Sequence, residues 1–362
     1  MSLIKTISIL LFSFLISCSE SKNEEAPPPV SSKKMKYRGA DLSAYPQIAT
    51  RNLNFLNENG DVEDFLSILK KNGINIIRLK LWVNPKGTAA SFTEVKNFSA
   101  QLRSRGYQIW LTIHYSDTWA DPGHQDTPKA WQNMSFQQLR DSVRAYTTNI
   151  VGSIRPDIVQ IGNEINNGFL FPEGNLYSNE KQCLELLQAA SQAVKQSNSE
   201  SKIMIHYAGH SGSKSFFQKM SSIDYDFIGL SYYPIWHGKD LNVLSDQMSD
   251  LSNSFGKEIL IAETSYPFTL EWNDYTNNIV GLESQIILPD YPSTEIGQAN
   301  FFNEIYQRVL EVETGIGICY WGGELVAFDG PTSQNGSPWE NQALFDFSLK
   351  SLPVLKEFNP QK

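Results

Sequence analysis

The sequence predicts an α/β fold, a single-domain (β/α)8 TIM barrel, and three observations carry that expectation. Short apolar, β-branched runs alternate with longer stretches of helical period, the pattern of a parallel sheet wrapped by helices. The runs number eight, as a closed barrel requires. Residues suited to chemistry cluster just after the runs, at what would be the C-terminal rim.

The N-terminal residues stand apart from that pattern. Lys5 precedes an apolar run, Ile7 to Ile16, too short to span a bilayer, and Leu15-Ile16-Ser17-Cys18 follows. Residues 1–18 therefore have the form of a bacterial lipoprotein signal resembling a lipobox, with Cys18 as the lipidated residue. An ordinary secretory peptide with an incidental cysteine is the alternative, and export follows from both. Residues 19–36 are polar, charged and proline-rich, the composition of a flexible tether. Glu20, Glu24 and Glu25 resemble the signals that send Bacteroidetes lipoproteins to the outer face of the outer membrane. The expected location is thus an outer-membrane lipoprotein exposed at the cell surface, with the membrane as a partner through its anchor.

Residues 37–362 remain for one catalytic-sized domain with a substantial core. At 41% hydrophobic and 19% charged residues the chain has an ordinary globular composition, and a net charge of -9 argues against a nucleic-acid partner. Strands are expected at Tyr37–Leu42, Ile74–Leu79, Gln108–Ile113, Ile158–Ile161, Ile203–His206, Phe227–Leu230, Ile259–Ala262 and Gly317–Tyr320. Helical periods run from Val62 to Asn72, Phe136 to Val151, Glu180 to Gln196, Leu241 to Phe255 and Gly297 to Val312, with Asp61, Ser135 and Ser178 as expected caps. Cys183 falls in a helical pattern and Cys319 in a strand, so they are expected as separate buried thiols.

The chemistry is read from the strand ends. Ile158 to Ile161 stops at Gly162-Asn163-Glu164, and Ile259 to Ala262 stops at Glu263. One such glutamate is as readily a cap or a loop residue, but two place a pair of carboxylates on the fourth and seventh strands of one rim. Paired carboxylates are the working parts of a glycosidase. Around them stand Asp41 after the first strand, Arg78, Lys80 and Trp82 at the second, and His114, Tyr115, Asp117 and Trp119 at the third. His206 and His210 flank the fifth; Tyr232, Tyr233, Trp236 and His237 follow the sixth; Trp321 closes the eighth. Flat aromatic faces with Asn, His and Asp suit sugar rings and their hydroxyls. His114 with Asp117, or His206 with His210, could ligate a metal, but no H-E-x-x-H accompanies them and no catalytic metal is expected. Neither a G-x-G-x-x-G opening a helix after the first strand nor a P-loop is present, and Gly209-His210-Ser211-Gly212 lacks the spacing of a nucleophile elbow.

Longer motifs then resemble a known family. R-G-A-D-L-S-A-Y at 38–45, I-I-R-L-K-L-W-V-N-P at 76–85, H-Y-S-D-T-W-A-D-P-G at 114–123 and P-K-A-W at 128–131 are similar to glycoside hydrolase family 53, the arabinogalactan endo-β-1,4-galactanases. So are V-Q-I-G-N-E-I-N-N-G at 159–168, I-G-L-S-Y-Y-P-I-W-H-G at 228–238, I-A-E-T-S-Y-P at 261–267 and N-Q-A-L-F-D-F at 341–347. The resemblance implies a retaining endo-acting hydrolase of β-1,4-galactan with Glu164 as general acid/base and Glu263 as nucleophile. It further implies that Asn163 binds a 2-hydroxyl, that Arg78 steadies the nucleophile, and that His114, Tyr232 and Trp321 line the site. Asp117, Trp119, Trp236 and His237 complete the expected substrate-binding set. No organic cofactor is required, and a monomer is expected. Two departures stand out. Trp321 is followed by Gly322-Gly323-Glu324 where many members have Glu-Pro-Ala-Trp, and the loop Glu271-Trp272-Asn273-Asp274-Tyr275 lacks the repeated aspartates through which some members bind calcium. A structural calcium is therefore allowed but not supported. Another retaining barrel hydrolase of mannanase or xylanase type, or a non-catalytic surface glycan-binding protein, are the alternatives.

Overall fold

A computed structural model describes residues 33–359. Cys18, the signal residues 1–18 and most of the tether lie outside the described residues, and the tether's last four positions, 33–36, pack on the domain: Met35 is 1% exposed, and Lys36 N–H donates to Ile316 O at 3.0 Å. Eight parallel strands close in sequence order, β1 (Tyr37–Asp41), β2 (Ile76–Leu81), β3 (Gln108–Ile113), β4 (Ile158–Ile161), β5 (Lys202–Ala208), β6 (Phe227–Ser231), β7 (Glu258–Thr264) and β8 (Gly315–Tyr320). The helices between them are α1 (Tyr45–Ala49), α2 (Phe65–Lys71), α3 (Phe92–Ser104), α4 (Phe136–Ile154), α5 (Glu180–Ser197), α6 (Ser213–Lys219), α7 (Pro234–His237), α8 (Leu241–Phe255) and α9 (Glu295–Glu311). Among the described residues no helix is long and apolar enough to cross a membrane.

The period of two along each strand makes two cores. Ile77, Leu79 and Leu81, with Ile228, Leu230, Ile259 and Ile261, face outward and pack under the helices. Tyr37, Ile76, Trp110, Ile158, Met204, Phe227, Leu260 and Cys319 face inward and fill the barrel axis. Gly229 sits where a Cβ would come within 2.6 Å of Met204 Sδ, so its missing side chain is what lets Met204 fill the axis. The inner apolar layer is capped by Arg78, whose guanidinium lies 5.8 Å from the Trp110 ring centre.

Several local expectations need correction. The helix expected from Val62 begins at Phe65, because Val62 pairs with Leu56 in a bridge, and the cap is Asp64, whose side chain accepts from Ser67 N–H, rather than Asp61. Asn179, with no side-chain cap bond, occupies the position expected of Ser178, whereas Ser135 forms the anticipated cap as a capping box with Gln138. The second strand starts two residues late, at Ile76, and extends to Leu81. Cys183 and Cys319 are separate buried free thiols.

Two backbone features aim the catalytic rim. Gly162 has φ +75°, and a Cβ there would stand 2.4 Å from Ile165 Cγ2, so only glycine admits the sharp exit from β4. Glu164 itself has φ +48°, a left-handed conformation held by the surrounding bonds. In β7 a register shift sets Glu263, not Ala262, opposite Ser231 and turns its side chain inward, against the alternation begun by Leu260. Gly162→Ala is expected to cost about 1–3 kcal/mol of stability and to lower activity disproportionately, since it displaces Glu164; chemical denaturation combined with turnover measurements checks both.

Candidate active site

Arg78, from the inward face of β2, is where the site begins. Its Nη1 lies 2.8 Å from Asp41 Oδ2 of β1, and its Nη2 lies 2.7 Å from Glu263 Oε1 of β7 and donates to Asn163 Oδ1 at 2.8 Å. Its Nε donates to Gln160 Oε1 at 3.2 Å. The surrounding carboxylates hold the guanidinium protonated despite complete burial. Glu263 Oε2 accepts the Tyr233 hydroxyl at 3.1 Å.

Gln160, one turn of the pleat below Asn163, fixes the opposite half. Its Oε1 also accepts from Trp110 Nε1 and Thr112 Oγ1, which orients the amide. Its Nε2 donates to Asn163 Oδ1 at 3.1 Å and to His206 Nδ1 at 2.9 Å. Burial, with Arg78 the next cause, pushes the His206 pKa well below its ordinary value, so the ring is neutral. A neutral ring that accepts at Nδ1 carries its proton on Nε2, which faces Ser231 Oγ at 2.9 Å. Ser231 in turn donates to Glu164 Oε1 at 2.5 Å, leaving Oε2 to face the cleft.

The two glutamates are thereby made unequal. Burial raises both carboxyls, but Glu263 has the Arg78 cation and the Tyr233 hydroxyl against it, and it is the one that ionises first. Glu164, pushed up to about 8 by burial and by the Glu263 charge, keeps its proton at neutral pH. An oxygen of each carboxyl lies within 4.8 Å of the other. One acid and one anion flank the same volume, an arrangement that can protonate a leaving oxygen and attack the adjacent carbon.

The cleft above them, about 560 Å³, is walled by aromatics. His114, Trp119, Trp321 and Trp339 follow one another edge to face, with ring centres 5.4, 5.9 and 4.5 Å apart. Trp236, 53% exposed, extends the wall from α7, 6.1 Å from Trp339. Among the sequence-predicted residues, Arg78, His114, Glu164, Glu263, Trp119, Trp236, His237 and Trp321 line the cleft. His237 is neutral for want of solvent, its pKa lowered to about 4, and its Nδ1 accepts from Tyr233 N–H.

Two expected residues are not there, and one serves differently. Tyr232 faces outward: its ring belongs to the outer core against Phe301 of α9, and its hydroxyl donates to Gly238 O. Tyr233, one step along the alternation, takes the place expected of it. Asp117 accepts from Asn84 and Lys129 N–H, tying loops together outside the cleft. Asn163 is fully buried, and its Oδ1 is spent on Arg78 and Gln160 while Nδ2 donates to Ala120 O. Trp339 escaped the sequence reading because it lies in an irregular segment far from any strand end, and Ser231 because a serine at a strand end carries no special signal.

Asp274, the buried acid of the loop after β7, accepts from Thr276 and Ser337 N–H and lies beside Glu340, whose Oε1 accepts the Asp274 N–H at 3.1 Å; no group of three acids or histidines gathers there among the described residues. The residues that do converge, Glu164, His206 and Glu263, are committed to the network above: the His206 nitrogens to Gln160 and Ser231, and a Glu263 oxygen to Arg78.

Known proteins share this architecture. The catalytic domain of an Ignisphaera aggregans GH53 protein is 37% identical and superposes with a TM-score of 0.86, covering 91% of this chain and 98% of that one. A protein of Bacillus subtilis described as an endo-beta-1,4-galactanase is 30% identical, covering 89% of this chain and 85% of its own. An Aspergillus fumigatus protein described as a probable arabinogalactan endo-beta-1,4-galactanase A is 32% identical over 81% of this chain and 85% of its own. The sequence profile of the family described as Glycosyl hydrolase family 53 matches residues 37–358, the whole of the barrel with both glutamates, and the chain belongs to that family.

Proposed function

We propose that the chain is a retaining endo-β-1,4-galactanase acting on the β-1,4-galactan of pectic arabinogalactan. The observation that carries the reading is the unequal pair: a buried glutamate set against the Arg78 cation, within 4.8 Å of a second that keeps its proton. Retaining glycosidases hold their carboxyls about 5–5.5 Å apart, inverting ones roughly 6.5–9.5 Å apart to admit a water between. The names of the Bacillus and Aspergillus relatives support galactan as the substrate.

The residues then act in sequence. Glu263 attacks the anomeric carbon while Glu164 gives its proton to the departing oxygen, and Tyr233 and Arg78 release Glu263 as its charge passes into the glycosyl ester. With that charge gone, Glu164 loses the neighbour that kept it protonated. Already a carboxylate, having passed its proton to the departing oxygen, it takes a proton from the incoming water, which displaces Glu263 from the anomeric carbon with a second inversion. Arg78, Asp41, Gln160 and His206 position these groups without touching the bond.

We also propose that the chain is exported and anchored by lipid at Cys18, supported by the apolar run ending in Leu15-Ile16-Ser17-Cys18 and the polar segment after it. Metabolic labelling with a palmitate analogue is expected to mark the wild-type chain and not Cys18→Ala, and equal labelling would refute the anchor.

Glu164→Gln is expected to lower kcat on linear galactan by roughly 10²–10⁴, and Glu263→Ala to leave no turnover above background. Reducing-end release from galactan, mannan and xylan reads the substrate, and NMR of the first product reads the anomer, expected to be β. Activity within tenfold of wild type in both variants, or an α product, overturns the mechanism.

The pH dependence follows from the same pair. Glu164 is a carboxyl with a raised pKa, so its acid form persists up to about 8 and is lost above it. The rate on galactan should fall as pH rises through that value. With a dinitrophenyl galactobioside, whose leaving group needs no proton, the alkaline fall in the glycosylation step should disappear.

A further inference from the structure

One side of the cleft holds two ionisable side chains that the reaction does not use. Lys80 comes from the inward face of β2, two residues beyond Arg78, and Glu324 from the loop after β8. Both line the cleft with Asp41, Ser43 and Leu325.

Glu324 is 2% exposed, burial and the neighbouring Asp41 push its pKa up to about 8, and only half of its carboxyl group is satisfied. Oε1 accepts the Ala44 N–H at 3.0 Å, joining the loop after β8 to the loop after β1, while Oε2 has no hydrogen-bond partner. A buried polar atom without a partner costs on the order of 1–3 kcal/mol. Such an atom in a ligand cleft points to a partner that arrives with the ligand. Lys80 shows the complementary condition. Its ammonium lies 5.2 Å from the Trp82 ring centre and 5.3 Å from that of Trp119, held between indole faces, and it forms no ion pair among the described residues although Glu324 and Asp41 act on it electrostatically. A cation and a carboxyl that share a wall without meeting leave a gap with ammonium donors on one side and an unengaged carboxyl oxygen on the other. Adjacent sugar hydroxyls present that same alternation.

The strand positions say which sugar. Glu164, the proton donor, stands on β4, so the departing half of the substrate lies over the β4 to β6 side with Trp236 and His237. The retained half lies over β8, β1 and β2. Resting on the retaining-galactanase reading above, we propose that Lys80 and Glu324 together form the hydroxyl clamp for the sugar next to the cleaved one on its non-reducing side, subsite −2. This gives a use to the Gly322-Gly323-Glu324 turn, where the sequence departs from the Glu-Pro-Ala-Trp of many relatives: the small residues let Glu324 reach back to Ala44 and face the cleft.

The test uses Lys80→Met, which keeps the stem between the indoles, and Glu324→Gln, whose amide oxygen still accepts from Ala44. End-labelled linear galactopentaose reports both rate and which bond breaks. Each variant is expected to lower kcat/KM at least tenfold, mainly through KM, and to move scission toward the non-reducing end, because a weakened −2 site no longer favours registers that fill it. Melting temperatures should stay near wild type. An unchanged cleavage pattern overturns the clamp, whether the rate is unchanged too or every bond slows alike, the latter being the mark of a general electrostatic or structural effect. The galactanase reading fails separately, if the wild type leaves galactan intact and cuts another β-linked glycan. The bond pattern of the same two variants on oligomers of that glycan then judges the clamp on its own.

Discussion

The site depends on where one positive charge is buried. An isolated guanidinium out of water would cost several kcal/mol, and Arg78 is tolerated at the top of the barrel core only because Asp41, Glu263, Asn163 and Gln160 all present oxygens to it. That need makes the site asymmetric. Of the two glutamates in the cleft, Glu263 lies against the cation at 2.7 Å, while Glu164 accepts a hydrogen bond from the Ser231 hydroxyl. Two identical side chains are thus assigned opposite protonation states by a single neighbour. The same cation would steady Glu263 in the resting enzyme and lose part of its hold as the ester forms, so the difference in environment is largest where the chemistry begins.

Rigidity follows from how the polar layer is satisfied. Gln160 uses its carbonyl oxygen for Arg78, Trp110 and Thr112 and its amide for Asn163, Gly162 and His206, so each member of the layer is held by at least one other. In a low-dielectric interior such a network is strong when complete and costly when any bond is missing. The inward parity of β2, β3 and β4 delivers Arg78, Thr112 and Gln160 one inward step beyond the apolar Ile76, Trp110 and Ile158, while on β6 Ser231 stands two inward steps beyond Phe227, past Gly229. The barrel therefore converts a period of two in sequence into two stacked layers, one that stabilises and one that reacts.

What the sequence revealed depended on whether a feature was periodic. The eight strands could be read because each is a short apolar run, and Glu164, Glu263 and Arg78 could be read because they sit on those runs or at their ends. Parity at the rim was harder. Tyr232 and Tyr233 are chemically alike and adjacent, and only the register, with Ser231 facing in, shows that the second lines the cleft. The shift in β7 that turns Glu263 inward has no signature in Ile259 to Ala262. Asp117 looked chemical because it follows a strand, yet an aspartate accepts backbone N–H groups as readily as it binds a ligand, and here it does the former. Trp339 belongs to a long irregular connection, where neither period nor strand end marks it.

The aromatic wall and the polar floor divide the work of recognition. Trp119, Trp321 and Trp339 meet edge to face and Trp236 leans on Trp339 at a tilt, each ring limiting the rotation of the next, so the wall offers fixed apolar surface at little entropic cost on binding. Such surface grips any sugar chain with apolar ring faces and selects weakly among them. Directional hydrogen bonds come from the polar groups between the rings: Asp41, Lys80 and Glu324 on the β1, β2 and β8 side, Asp121, Tyr233 and His237 after β3 and β6, with the two catalytic glutamates at the centre. Lys80, between Trp82 and Trp119, is where the aromatic wall and the polar groups meet. The tryptophans that dominate the cleft's surface thus supply contact area, and the directional groups are a few buried polar side chains whose positions the barrel fixes before any substrate arrives.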